Sequence, residues 1–262
     1  MFNEGFGANA PDPSPFFACE IRSNETGDRS NVALTAPVGF VLTQGLRPHP
    51  RRHCPVYVPP AFREDDRATL HAAINDARLS HLVTATTEGL IATPLPLFLA
   101  PDEGPYGTLY GHVSRANEHW KLAPIGDAMA MFMGPHAYVS PSWYPSKQEH
   151  HKVVPTWNYL AIHAYGPVEF FEDAERLLDV VTRLTNLHEQ GRTTPWAVSD
   201  APETFITAHL RGIVGLRIPI TRIDGKRKMS QNRGEADRAG VAAALAASDD
   251  PSDQAVAKLI PR

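Results

Sequence analysis

The stretch His81-Leu82-Val83-Thr84-Ala85-Thr86-Thr87-Glu88-Gly89-Leu90-Ile91-Ala92-Thr93-Pro94-Leu95-Pro96-Leu97-Phe98-Leu99 decides the fold. Residues 81–87 and 90–99 are runs of β-forming residues, and Glu88-Gly89 between them is a short turn signal, so the segment reads as an antiparallel hairpin. Beyond a Pro/Gly loop at 100–106, residues 108–113 read as a third strand, and Ser114-Arg115-Ala116-Asn117 leads into a short helix carrying Trp120. Residues 128–133 and 137–140 form two further short strands around Gly134-Pro135. Strands in succession, interrupted by one short helix, favour an antiparallel β-barrel with helices (α+β) over a doubly wound parallel sheet.

Toward the N-terminus, Asp65 or Asp66 can cap a helix running to about Arg78, with Leu70, Ala73, Ile74 and Ala77 on one face. Upstream of Val56, seven prolines punctuate a stretch with no sustained period, and residues 1–55 read as a disordered extension. Toward the C-terminus, residues 141–154 are polar and read as an exposed loop, while 156–171 read as one long strand bent at Gly166-Pro167. Helical periods cover 172–188 and 202–209, residues 213–223 read as a closing strand in which Pro219 demands an edge or a bulge, and 236–247 is an Ala-rich helix. The expected organisation is an extension at 1–55, a barrel domain at 56–238, and a C-terminal helix and tail at 239–262.

Bulk properties narrow the function. A chain of 262 residues with 42% apolar content can build a sizeable core, and a formal net charge of −4 gives no general drive toward nucleic acid. Lys226, Arg227, Lys228, Arg233 and Arg238 make the one basic cluster. No apolar run is long enough for a membrane-spanning helix and no basic-then-apolar leader opens the chain, which predicts a cytoplasmic protein with no membrane partner. Both cysteines, Cys19 and Cys54, precede residue 56 and read as free thiols. The sequence has no G-x-S-x-G, P-loop, G-x-G-x-x-G or H-E-x-x-H string, and its twelve histidines lack ligand spacing, so no metal site is expected.

Four polar, aromatic-bearing blocks stand out: Gly111 to Trp120, Gly134 to Tyr144, Val154-Pro155-Thr156-Trp157-Asn158-Tyr159, and Lys228-Met229-Ser230-Gln231-Asn232-Arg233. Together they offer cations and hydroxyls for a phosphate, aromatic surface for a planar ring and amides for its carbonyls, the requirements of a flavin mononucleotide (FMN). In order and spacing the blocks resemble the PaiB-like family of FMN-binding negative transcriptional regulators. The resemblance covers nearly the whole chain from Val56 to Arg233, and V-P-T-W-N-Y and K-M-S-Q-N-R are uncommon strings.

That resemblance implies an antiparallel, Greek-key FMN-binding split β-barrel, related to pyridoxamine-phosphate-oxidase-like proteins, with FMN held at a homodimer interface. By the same likeness Ser114 and Arg115 meet the phosphate, with Thr93 or Lys121 as helpers and Trp120 beside them. Trp157, Asn158 and Tyr159 lie near the ring or the neighbouring subunit, and Lys228, Gln231, Asn232 and Arg233 close the site, so its parts can come from two chains. Competing readings stay open: a surface ion pair for Arg115, plain packing for Trp120 and Trp157, and a helix cap for Ser230 and Gln231.

Two departures matter. Thr93-Pro94 stands where the family pattern has Thr-His, which removes an imidazole and a backbone donor. The extension is foreign to the pattern, and Val56 occupies the place of the family's initiator methionine, which suggests a start at Val56. Three functions remain open: an FMN-based regulator, with DNA as a partner by family analogy alone; a flavin-dependent oxidoreductase or haem-handling enzyme; and a dimer that has lost its flavin.

Overall fold

A computed structural model describes residues 56–262. The expectations for residues 1–55, including both cysteines and the start at Val56, lie outside the described residues.

The helix expected from Asp65 or Asp66 forms as α1 (Arg67–Asp76), and Asp66 is the cap, accepting the Thr69 N–H at 2.8 Å. Leu70 and Ile74 are its buried residues. The hairpin forms as β2 (Ser80–Thr86) and β3 (Gly89–Leu95). Its turn lies one residue earlier than expected, at Thr87-Glu88, because the Thr86 hydroxyl donates to the Gly89 carbonyl and accepts the Glu88 N–H. The run 90–99 is not one strand: Pro96 separates β3 from β4 (Phe98–Ala100), which joins another sheet.

A short β1 (Arg63–Glu64) precedes these strands, and β5 (Thr108–Ser114), β6 (Ala128–Val139), β7 (Thr156–Gly166), β8 (Glu169–Phe171), β9 (Ile213–Pro219) and β10 (Arg222–Lys228) complete two antiparallel sheets. Six strands run in the order β1-β10-β7-β6-β2-β3 and four in the order β4-β5-β9-β8. The expected α+β, antiparallel split-barrel class holds.

Three further strand assignments need correction. The two short strands around Gly134-Pro135 are one strand, β6, with a bulge between Met133 and His136. Pro135 is tolerated because β2 pairs with β6 only over Met129–Phe132. The run 156–171 divides at Gly166-Pro167 into β7 and β8, which belong to different sheets. The closing strand 213–223 is likewise two strands, β9 and β10, and the chain crosses between sheets just after Pro219, where Thr221 N–H donates to the Tyr165 carbonyl at 2.8 Å.

Helix α2 (Ser146–His150) occupies part of the segment expected as a loop. Helices α3 (Ala174–Glu189), α4 (Glu203–Leu210) and α5 (Glu235–Ala246) match expected helical segments, and α6 (Pro251–Leu259) was not expected. Asp173 caps α3 through the Arg176 N–H. Leu177, Val180 and Leu184 of α3 pack with Phe98 and Phe171 on the four-stranded sheet. Val241, Leu245, Val256 and Ile260 from the last two helices pack with Ala137, Val139, Leu160 and Met229. The main core lies between the sheets, around Leu82, Leu109, Phe132, Ile162, Leu216 and Ile218. No helix among the described residues is long and apolar enough to cross a membrane.

The face of the six-stranded sheet that points away from this core carries His81, His163, Arg222, Asp224 and Lys226, yet is largely apolar over β2, β3 and β6. An uncovered antiparallel face is ordinarily polar. Here Val83 and Ala85 of β2, Leu90, Ala92 and Pro94 of β3, and Met129, Met131 and Met133 of β6 share it, and none joins a buried core. Leu90 is 80% exposed and Met133 51%.

Candidate functional site

Strand β3 is the last strand of its sheet and β5 belongs to the other, so the two face each other where the barrel is split. A cavity of about 410 Å³ opens there, lined among others by Thr93, Pro94, His112, Ser114, Asn117 and Gly212. Pro94 is accommodated because β3 is an edge strand. None of the lining residues is a carboxylate.

The polar groups of this rim are held from behind. Asn117 caps the one-turn helix Glu118–Lys121 by accepting the His119 N–H at 2.9 Å through Oδ1, which leaves its Nδ2 to donate to Thr93 Oγ1 at 3.3 Å. The His119 imidazole is fully buried between two hydroxyls, Nδ1 lying 2.8 Å from Thr93 Oγ1 and Nε2 2.7 Å from Thr84 Oγ1. Ser114 Oγ accepts the Ala116 N–H at 3.3 Å. His112 Nδ1, on the cavity wall, is buried and has no hydrogen-bond partner among the described residues. A cavity rimmed by hydroxyls and an amide, without carboxylates, fits the phosphate-bearing end of FMN.

The other expected phosphate ligands have partners of their own. Arg115 forms an ion pair with Glu172, and its guanidinium donates to the Arg211 carbonyl at 2.7 Å and the Ile213 carbonyl at 3.3 Å. It does not line the cavity. Trp120 donates its indole N–H to the Arg115 carbonyl, and Lys121 pairs with Glu118 at 2.8 Å.

The remaining expected site residues gather elsewhere. Asn158, fully buried, donates to Ser230 Oγ at 3.0 Å and accepts from it at 3.2 Å, which fastens the segment after β10 to β7. Ser230 adopts a left-handed backbone (φ 61°) to make that contact. Gln231 Oε1 accepts the Met229 N–H, and its amide donates to the Arg227 carbonyl. Lys228 donates to Thr156 Oγ1 and to the Trp157 carbonyl, and burial together with Lys226 and Arg233 holds its pKa below the ordinary lysine value. Arg233 lies over the Tyr144 ring at 4.8 Å, Lys226 lies over Tyr159 at 5.3 Å, and Asn232 is exposed. Trp157, 52% exposed, meets His136 and Tyr138.

The two groups stand well apart in a single chain. Register places Thr93 opposite Leu82, Leu82 opposite Ala130 and Ala130 opposite Ala164. Tyr159 is therefore roughly 16 Å further along β7 and about 14 Å across the sheet from Thr93. The sequence reading missed Thr84, Asn117 and His119. Asn117 and His119 lie inside the Gly111 to Trp120 block, but that His119 is buried between distant threonines is a tertiary fact.

Burial lowers the pKa of His112, His119 and His163 below the ordinary 6.5. Below that pH the unfolded chain binds more protons than the folded one, so stability falls as pH drops. Urea unfolding at pH 5.5 is expected to show a folding free energy lower than at pH 7.5 by on the order of 1–3 kcal/mol.

The family model described as "Putative FMN-binding domain" matches residues 56–222. The "Protease synthase and sporulation protein PAI 2" of Bacillus subtilis (strain 168) is 32% identical over 207 residues, spanning 78% of this chain and 96% of that protein. Among solved structures, the flavocytochrome Anf3 from Azotobacter vinelandii superposes with a TM-score of 0.47 at 14% identity, covering 74% of this chain and 75% of that one. The FAD and heme binding protein from Mycobacterium smegmatis gives 0.47 at 14% identity, covering 74% and 78%. With the family match starting at Val56, where the resemblance begins, and PAI 2 aligned over almost its full length, the chain belongs to the PaiB-like family of FMN-binding proteins.

Proposed function

We propose that the protein works as an FMN-binding homodimer with a regulatory role, its flavin held between two chains and serving as the sensor. The observation that carries the dimer is the apolar patch over β2, β3 and β6 on the outer face of the six-stranded sheet, with its methionine row Met129, Met131 and Met133. A face of that kind is stable in water only when covered, and a second copy covers it symmetrically. The same pairing supplies what one chain lacks, since the split of one copy and the Trp157 to Tyr159 and Lys228 to Arg233 segments of the other can then meet one flavin. When bound, FMN supplies the redox chemistry; the chain's residues bind and orient it. Purified protein is expected to show the visible absorption of oxidised flavin at one FMN per chain; a colourless dimer that takes up no added FMN would overturn the flavin reading.

The regulatory part rests on family likeness and on a relative named for protease synthesis and sporulation. Its test is DNA retention that survives physiological salt and changes when the flavin is reduced. One observation favours the second reading, a flavin-dependent oxidoreductase: the basic cluster is spent within the chain. Arg227 donates to the Leu259 carbonyl, Arg238 to those of Arg233, Pro261 and Arg262, and Lys228 to Thr156 and Trp157. Turnover of a reduced nicotinamide cofactor by the flavin-loaded dimer, without DNA retention, would decide for the enzyme.

A further inference from the structure

The geometry points to His119 as a positioning residue: held in one tautomer by Thr84, it turns the Thr93 hydroxyl into a hydrogen-bond donor facing the split, which gives that rim a fixed donor for phosphoryl oxygens. This rests on the FMN reading for the ligand's identity, and on the hydrogen bonds alone for the donor.

The argument is an accounting of protons. Thr84 is buried, and among the described residues its hydroxyl forms no hydrogen bond except with His119 Nε2. A buried hydroxyl proton without an acceptor is costly, so Thr84 donates and Nε2 accepts. A neutral imidazole carries one N–H, which must then sit on Nδ1 and point at Thr93 Oγ1. Thr93 Oγ1 also receives the Asn117 amide, whose orientation is set because its oxygen already caps the helix. Both lone pairs of Thr93 are thereby filled from within the protein, and its own proton is left for the cavity that Thr93 lines. Ser114, whose oxygen accepts the Ala116 N–H, and the second N–H of Asn117 also offer protons on this rim. Such a rim suits an oxygen that only accepts and penalises a ligand group that must donate.

Three measurements on the full chain test this. Long-range proton–nitrogen NMR of the flavin-free protein should find the His119 ring with Nδ1 protonated and Nε2 bare, the assignment fixed by the signal lost in His119→Gln. A proton on Nε2 would overturn the inference. Second, Thr93→Val and Thr84→Val should each weaken FMN binding roughly ten- to a hundred-fold while riboflavin, which lacks the phosphate, binds within about threefold of the unaltered protein, and Thr84→Ser should restore FMN binding. Equal losses for FMN and riboflavin, or no loss for FMN, would overturn it. Third, if the unaltered protein binds neither flavin, the FMN reading fails by itself, and inorganic phosphate decides the cradle. Phosphate shifting the His119 resonances in the unaltered protein but not in Thr93→Val would support the inference, and no shift would overturn it.

Discussion

Met131→Asp is expected to convert the proposed dimer into a monomer and strip it of flavin. Met131 lies on the outer face of β6, opposite His81 on one neighbouring strand and His163 on the other, at the middle of the six-stranded sheet. In a single chain it is only partly covered, so a carboxylate there faces water and leaves the fold intact. In a dimer built on this face the carboxylate, set between His81 and His163, loses water against the apolar residues of the second copy, at a cost of several kcal/mol. Two-fold symmetry introduces the change twice. The dimer dissociation constant should rise by about a thousandfold or more. Light scattering coupled to size exclusion, with circular dichroism as the check on folding, reads the outcome. A folded Met131→Asp protein that stays dimeric would place the interface elsewhere.

Gly166→Ala is expected to have the larger effect on the fold. Gly166 ends β7 where the chain leaves the six-stranded sheet, and a Cβ built on it would lie 2.0 Å from the Pro219 carbonyl oxygen and 3.1 Å from an Ile218 side-chain carbon. The obstacle is backbone, so no side-chain rotation relieves it. Two crossings meet at this point, β7 to β8 and β9 to β10, and spreading them would open the seam between the sheets. A loss of about 4 kcal/mol or more follows, which for a domain of this size lowers the melting temperature by roughly 10 °C or abolishes soluble expression. Gly234→Ala is the control: a Cβ there meets nothing within 4 Å, and at this helix-capping position the change should cost no more than about 1 kcal/mol. A thermal melt of the two variants side by side checks the contrast.

How much was legible in the sequence follows from how local each signal is. Asp66 and Asp173 cap helices within their own turns, and the apolar periods of α1 and α3 are printed in consecutive residues. The division of 213–223 into two strands was hidden because β10 reads Arg-Ile-Asp-Gly-Lys-Arg-Lys, with Arg222, Asp224, Lys226 and Lys228 on its outer side and Arg227 on the inner one, so that charge on both faces masks the strand period. Helix α6 was missed because its buried contribution is small, chiefly Val256. At the site, Thr93, Ser114 and the motif blocks could be found from the chain alone. That Arg115 pairs with Glu172 and two carbonyls, and that His119 bridges Thr84 and Thr93, depends on elements far apart in sequence. Unlike α1 and α3, the apolar outer face emerges only once register shows that residues from three strands share it.

The order of the strands also governs how the protein can be made. Arg63 pairs with Lys226, and Ser114 pairs with Ile213, so both sheets wait for the last third of the chain. Closing such distant pairs spends chain entropy before any contact repays it, and topologies of this kind fold slowly. During synthesis the hairpin β2/β3 and helix α3 can form behind the advancing chain, but β5 stays without one neighbour until β9 emerges. The nascent protein therefore carries an unpaired β5 edge while the residues between β5 and β9 are made, an interval in which such an edge is open to wrong pairing.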